Sequence, residues 1–159
     1  MSEALPVVRL KHGRERSVLN RHPWIFSGAI SEVRGEPQPG AIVDIHDHGG
    51  RFLARGYYNA HSQITIRLLT WERDEPIDRA FWQRRLQRAF ARRDTLIEDA
   101  ATTAYRLAFA ESDDLPGLIV DRYDDWAILQ SLTYGIEAWK TTLADLLMEM
   151  LTIQGVYER

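Results

Sequence analysis

The sequence predicts an α+β fold class: a small β-barrel followed by a second domain that combines helices and strands. Short apolar runs with glycine-rich turns fill about the first seventy residues, which is typical of a small barrel. An acidic segment that ends in proline follows at residues 72–76, and apolar residues recur at helical spacing only after it. We therefore predict two domains, residues 1–73 and residues 74–159.

The first domain is predicted to consist of short strands joined by turns. Gly49 and Gly50 mark a hairpin turn, since glycine readily adopts the positive φ that such turns require. Gly56 lies inside an apolar run, which indicates a bulge or a close approach of another backbone. The predicted strands are residues 7–10, 29–33, 41–47, 52–59 and 63–70.

The second domain is predicted to begin with a helix capped by Asp78, whose side chain can accept a hydrogen bond from the first turn. Three strands are predicted to follow, at residues 105–110, 118–122 and 127–132. A second amphipathic helix is predicted at residues 136–151, and a further strand opens at residues 155–159. The apolar stripe of the first helix is Phe81, Trp82, Leu86, Ala89, Phe90, Leu96 and Ile97.

The first helix of this domain is also rich in arginine. The pattern is compatible with an RNA-binding face, but a solvated face whose arginine stems cover apolar surface is the favoured interpretation. The arginines concerned are Arg79, Arg84, Arg85, Arg88, Arg92 and Arg93.

The composition excludes several classes of site. The 159 residues contain no cysteine, so disulfides, thiolate zinc sites and cysteine nucleophiles are excluded. No apolar run approaches the roughly 20 residues that span a bilayer, and no signal peptide is evident, so we expect no membrane partner and a cytoplasmic location. Residues 1–72 carry nine basic and seven acidic side chains, against eleven and sixteen in residues 73–159, which leaves room for a local basic surface in the first domain.

Residues 11–28, named here the basic turn, combine cationic, aromatic and turn-forming residues more densely than any other stretch. Gly13 and Pro23 bracket a segment too short for more than one or two helical turns, so its cationic side chains are predicted to project from a short, fixed turn. Guanidinium groups pair with phosphate oxygens, and aromatic rings accept the face of an unstacked base. The predicted RNA-binding residues of this turn are Lys11, Arg14, Arg16, Arg21 and Trp24.

The aromatic residues of the basic turn have a second interpretation. Burial in the core is favoured for Trp24, Ile25 and Phe26, and Trp24 is accordingly expected to support the surface more than to stack on a base. Arg55 and Arg67 lie on predicted strands outside the turn. They are expected to extend the RNA-binding surface.

Carboxylates cluster around a Pro-Gly turn in residues 111–123. Hard cations take clustered carboxylates on loops, so a metal-dependent hydrolase is one hypothesis, with Glu111, Asp113, Asp114 and Asp121 as its ligands. Capping and turn formation by these side chains is the favoured interpretation. The sequence contains no P-loop, no nucleophile elbow and no Gly-x-Gly-x-x-Gly loop after a strand, so no catalytic, cofactor-binding or metal-binding residue is predicted.

Four stretches, in the same order along the chain, resemble the ribosomal RNA large-subunit methyltransferase I family: residues 14–30, 53–59 (Leu-Ala-Arg-Gly-Tyr-Tyr-Asn), 63–67 and 111–123. The resemblance implies an N-terminal PUA domain, which is a small RNA-binding pseudo-barrel, then a central α+β domain and a Rossmann-type methyltransferase domain. It also implies an enzyme that uses S-adenosylmethionine to methylate carbon 5 of a cytosine in large-subunit ribosomal RNA. The catalytic cysteine and the cofactor site of such an enzyme lie in its third domain.

The resemblance implies that this chain holds a PUA-like β pseudo-barrel and an incomplete α+β domain, truncated at its C-terminal side, with the Rossmann methyltransferase domain absent. The chain would then be the RNA-recognition portion of the methyltransferase, a fragment that binds large-subunit ribosomal RNA and holds no cofactor itself. The alternative is a stand-alone PUA-type module that recruits RNA without catalysis, and a homodimer stays open. Asp114 departs from the family pattern, in which a glycine is expected.

Overall fold

The computed structural model describes residues 4–98 and 101–159, without the side chains of Leu96 and Ile97. The chain forms two compact units, one ending at Glu75 and the other beginning at Pro76. Each unit contains its own sheet, with six strands in the first and four in the second. The predicted apolar stripe included Leu96 and Ile97, so that part of the prediction lies outside the described residues.

The first unit is built from short strands that follow the alternating apolar runs of the sequence. A short helix, α1 (Arg16–Leu19), lies between the first two strands, and a 3₁₀ turn, Ser27–Ala29, follows the second. The strands are β1 (Val7–Leu10), β2 (Trp24–Phe26), β3 (Ile30–Arg34), β4 (Ile42–His46), β5 (Phe52–Tyr58) and β6 (Ile64–Thr70).

The sheet of the first unit curls on itself. Its strand order, β2-β6-β5-β4-β1-β3, places β2 and β3 at opposite edges. Only the Ser27–Ala29 turn joins these two strands, and each residue spans at most about 3.5 Å, so the edges must approach each other. The interior of the resulting barrel is filled by alternate side chains that are fully buried, among them Val8, Leu10, Val43, Ile45 and Ile66.

Gly56 lies where β5 and β6 come unusually close. The pairing register shifts between Arg55 and Gly56, and a Cβ atom placed on Gly56 would lie 2.2 Å from the carbonyl oxygen of Arg67. The close backbone approach predicted at Gly56 is therefore confirmed.

The second unit places helices against a four-stranded sheet. The side chain of Asp78 accepts a hydrogen bond from the backbone N–H of Phe81 at 2.8 Å, which confirms the predicted helix cap. The elements are α2 (Arg79–Ala91), α3 (Asp94–Ile97), β7 (Ala104–Phe109), β8 (Leu118–Tyr123), β9 (Trp126–Ser131), α4 (Tyr134–Met150) and β10 (Gly155–Glu158).

Strand direction in this second sheet corrects the predicted fold class. The strands β7, β8 and β9 are antiparallel, but β10 runs parallel to β9, and α4 connects the two. An α+β class implies helices segregated from a mainly antiparallel sheet, whereas a strand, a helix and a parallel strand in succession form the βαβ unit of α/β folds. The prediction of a plain α+β second domain is wrong for this reason.

The arginines around α2 contact the acids and rings of their own unit. Arg79 Nη2 lies 2.6 Å from a carboxylate oxygen of Glu149, and the guanidinium of Arg85 lies 4.8 Å from the ring centroid of Phe81. Arg92 and Arg93 both pair with one buried carboxylate, which is described below. Much of the cationic charge of this helix is thus placed against partners within the second unit.

Candidate nucleic-acid interface

The backbone of the basic turn is folded tightly by its own hydrogen bonds. Gly13 has a φ of +79°, a value that glycine adopts without strain, and the N–H of Arg14 donates to the carbonyl of Lys11 at 3.0 Å. After α1, the N–H of Arg21 donates to Val18 and the N–H of His22 donates to Ser17, both at 3.0 Å. The turn therefore presents Arg14, which precedes α1, and Arg16, which is the first residue of α1, as exposed side chains.

Trp71 anchors this short helix to the barrel. Its indole N–H donates to the carbonyl of Val18 at 2.7 Å, and the side chain of Val18 is fully buried. The guanidinium of Arg21 lies 4.9 Å from the centroid of the same indole, which is cation–π geometry. The position of α1 is thus fixed by a residue that follows β6.

Three aromatic rings, named here the aromatic row, belong to His22, Trp24 and Phe26. Trp24 and Phe26 lie on β2, and His22 lies two residues before Trp24. Neighbouring rings are nearly perpendicular, with centroids 5.9 Å apart at 80° for His22 and Trp24 and 6.4 Å apart at 84° for Trp24 and Phe26. Ile25 points the other way and is buried in the barrel, whereas Phe26 is 48% exposed. The core interpretation therefore holds for Ile25 but is wrong for Phe26.

The aromatic row forms one wall of a cavity of about 340 Å³. Its polar lining comes from Arg14, Ser17 and His22, and the backbone of Gly28 closes one side. The ammonium group of Lys11 donates to the carbonyl of Gly28 at 2.9 Å and so lies at the rim of the cavity. This combination of cationic groups, donors and ring faces suits an anionic ligand that carries a flat heterocycle.

The structure does not bring all the predicted RNA-binding residues together. Arg55 is turned inward: its guanidinium binds both carboxylate oxygens of Asp44, at 2.6 and 3.3 Å, and donates to the carbonyl of Glu75 at 2.9 Å. Only 12% of the Arg55 side chain is exposed. Arg67 is half-buried on β6, opposite Trp24 in the strand register.

Two contributors to the cavity, His22 and Phe26, were not predicted as site residues. The sequence contains a signal for them, because positions 22, 24 and 26 alternate as residues on one face of a strand do. Pro23 lies between His22 and Trp24 and hides that alternation, since it suggests a turn more than the start of a strand.

Two carboxylates of residues 111–121, Asp113 and Asp121, are held by arginines. Asp113 is buried and accepts hydrogen bonds from Arg93 at 2.7 and 2.9 Å, from Arg92 at 3.1 Å and from the backbone N–H of Phe109 at 2.7 Å. Asp121 receives two hydrogen bonds from Arg106, at 2.7 and 3.0 Å. These contacts occupy the carboxylate oxygens that a cation would need, and the described residues contain no group of three or more acids and histidines placed for a metal.

The pKa of Asp113 reflects these partners. Burial raises it, but the hydrogen bonds from Arg93 and from the N–H of Phe109 outweigh burial, so the pKa of this carboxyl lies below its ordinary value. The neighbouring Asp114 adopts a left-handed backbone with a φ of +58°. Glycine adopts that conformation most easily, so the glycine that the resemblance implied at this position would suit the observed backbone.

The first unit and its basic turn define a PUA-like domain. The family model described as "PUA-like domain" matches residues 8–71. This range contains all six strands of the curled sheet, except for the first residue of β1. None of the helices in the described part of the chain has the length and apolar character that a membrane span requires.

The resemblance predicted from the sequence is confirmed: over 96% of its length the chain is homologous to proteins named Ribosomal RNA large subunit methyltransferase I. The relatives from Shewanella amazonensis, Shewanella denitrificans and Tolumonas auensis are 43%, 46% and 47% identical to it. The chain spans 38% of the length of each of these relatives.

Solved structures further correct the predicted fold class. A candidate SAM-dependent methyltransferase from Streptococcus mutans matches 96% of this chain with a TM-score of 0.82 at 15% identity, over 40% of its own length. A candidate methyltransferase solved with SAH matches 96% of this chain with a TM-score of 0.80, also at 15% identity, over 39% of its length. The prediction set this chain apart from the methyltransferase fold, with the Rossmann domain absent, and it is wrong: 96% of the chain shares the fold of the matched part of these two structures.

Proposed function

We propose that this chain is the RNA-recognition portion of a ribosomal RNA methyltransferase and that its basic turn binds large-subunit ribosomal RNA. The observation that carries the proposal is the cavity of about 340 Å³, which lies between cationic and aromatic side chains of a PUA-like domain. The proposed RNA-binding residues are Lys11, Arg14, Arg16 and Arg21, with Trp24 as the middle ring of the aromatic row and Arg67 opposite it on β6.

The cationic groups are placed to reach phosphates around the cavity. Arg16 is exposed at the start of α1, and Lys11 lies at the rim through its bond to Gly28. The guanidinium of Arg21 stacks on Trp71, and a stacked guanidinium keeps its N–H groups at its periphery, where they can meet phosphate oxygens. Arg55 is left out of the proposed surface because Asp44 and Glu75 already bind its guanidinium.

For the whole protein we propose transfer of a methyl group from S-adenosylmethionine to carbon 5 of a cytosine. The name of the relatives supports a ribosomal RNA substrate, and the SAH bound to one solved neighbour supports the cofactor. Residues 1–159 contain no cysteine, so the thiolate that this reaction requires is proposed to lie outside them.

The proposal predicts strongly salt-dependent binding. Each phosphate neutralised on a single strand contributes about −0.7 to the slope of log affinity against log salt, so four contacts give a slope of about −3. Replacing Lys11 and Arg16 together with glutamine is expected to flatten the slope by about 1.4, since two contacts are lost. The measurement is a salt titration of the full chain binding a large-subunit ribosomal RNA transcript.

A matched double variant controls for loss of charge as such. Arg34 and Arg51 are exposed arginines of the same unit that pair with Glu32 and Asp47, and neither lines the cavity. Replacing both with glutamine removes the same charge and is expected to leave the slope unchanged. An equal flattening in the two double variants, or salt-independent binding by the native chain, contradicts the proposal.

A further inference from the structure

We infer that the cavity beside the aromatic row takes an unpaired guanine base, read on its Hoogsteen edge by Arg14. The inference rests on the proposed function, and it specifies which part of the RNA enters the site. It also assigns Arg14 to a base, whereas Lys11, Arg16 and Arg21 contact phosphates. With three phosphate contacts in place of four, the expected salt slope becomes about −2.

The shape of the cavity fits a single flat ring system. Its volume of about 340 Å³ lies at the lower end of the roughly 300–1,000 Å³ typical of small-molecule sites. Trp24 and Phe26 meet at 84°, so a flat heterocycle that stacks on one ring contacts the edge of the other. Phe26 is the more exposed ring of the two and is the natural stacking partner.

The polar lining favours a base that presents acceptors. The cavity-lining residues that the structure describes include no carboxylate, so an exocyclic amino group meets no anionic acceptor there. Arg14 offers a guanidinium fork, and guanine presents two adjacent acceptors, O6 and N7, that match such a fork. Adenine carries an amino group in place of O6, so the N–H donors of that amino group would face the N–H donors of the guanidinium.

His22 supplies a second donor because its tautomer is set by the backbone. The N–H of Trp24 donates to Nδ1 of His22 at 3.2 Å, and a backbone N–H can act only as a donor. Nδ1 also lies 3.3 Å from the carbonyl of Trp24, and we assign it as an acceptor because a proton on Nδ1 would face the N–H of Trp24. The proton of the neutral ring is then on Nε2, which can donate to a ligand.

The test compares seven-nucleotide RNAs that carry one variable base between uridines, bound by the full 159-residue chain. Tryptophan fluorescence and anisotropy report the affinity. Guanine is expected to bind about tenfold more tightly than adenine, and 7-deazaguanine, which lacks the N7 acceptor, about tenfold more weakly than guanine. Equal affinity for guanine and 7-deazaguanine overturns the inference.

Two variants separate the base contact from the phosphate contacts. Arg14→Lys keeps the charge but loses the fork, and is expected to abolish the preference for guanine over 7-deazaguanine while leaving the salt slope unchanged. Lys11→Gln with Arg16→Gln is expected to do the reverse, with a flatter slope and an intact preference. Circular dichroism checks that each variant is folded.

An oligonucleotide with an abasic site in place of the variable base decides whether a base enters at all. If it binds as tightly as the guanine RNA, the inference is wrong. The proposed function is still tested independently by the difference in salt slope between the Lys11/Arg16 double variant and its control, the Arg34/Arg51 double variant. The inference and the proposed function can therefore fail separately.

Discussion

Replacing Asp113 with alanine is expected to destabilise the second unit by about 3–5 kcal/mol, which is typical of removing one partner from a buried ion pair. The carboxylate is buried, and its loss leaves the guanidinium of Arg93, itself only 17% exposed, without its counter-ion. It also leaves the backbone N–H of Phe109 without an acceptor. Urea unfolding measures the loss, and hydrogen exchange at the Phe109 amide reports it locally.

The neighbouring carboxylate provides the control. Asp114 is 54% exposed and lies 3.7 and 3.8 Å from Arg92 and Arg85, so Asp114→Asn is expected to change stability by less than about 0.5 kcal/mol. Asparagine also tolerates the left-handed backbone at this position. A loss as large as that of Asp113→Ala would show that local backbone geometry, and not the buried ion pair, dominates.

The stability contributed by Asp113 is also expected to depend on pH. Because its pKa is lowered in the folded state, the contribution is fully present above the ordinary carboxyl pKa of about 4 and is lost as the pH falls through the lower, folded-state value. Asp113→Asn removes this titration. The difference in urea stability between the native chain and this variant is expected to shrink on acidification, and a difference constant from neutral to acidic pH contradicts the assignment.

Replacing Gly56 with alanine is expected to destabilise the barrel by about 3 kcal/mol, at the upper end of typical overpacking effects. The new Cβ atom would lie 2.2 Å from the carbonyl oxygen of Arg67 and 3.0 Å from the Cα of Leu68. Both atoms belong to the backbone of β6, so relief requires the two strands to separate. Urea unfolding of the variant measures the effect.

Gly28→Ala is the matched control for Gly56→Ala. A Cβ atom at Gly28 would meet nothing within 4 Å, and the residue has no left-handed backbone. The expected change in stability is within about 1 kcal/mol. Equal losses in the two variants would point to a general cost of alanine in this unit, not to the close approach of β5 and β6.

Local features of the fold could be predicted from the sequence, whereas long-range ones could not. The cap at Asp78 and the close approach at Gly56 depend on one residue type in one local context, and both are confirmed. The parallel direction of β10 depends on how the chain returns after α4, about which apolar alternation carries no information. That is why the fold class was predicted incorrectly although every strand except β2 was found.

Prediction of the candidate site was limited in the same way. The basic turn was identified because its cationic and aromatic residues are close in sequence. Arg55 was included in the predicted surface because the sequence does not show that Asp44 is its partner. The register of β4 and β5 brings these two residues opposite each other. Asp113 was considered as a metal ligand because Arg92 and Arg93 are about 20 residues away in sequence.

The hydrogen bond from Trp71 to Val18 also determines when, during synthesis, the interface can form. A helix of four residues is far below the about 12–15 residues that an isolated helix needs, so α1 depends on an anchor 53 residues further along the chain. Bacterial and eukaryotic ribosomes add about 5–20 residues per second, so the basic turn emerges seconds before its anchor exists. A nascent chain therefore gains this proposed surface only after the last strand of the barrel has been made.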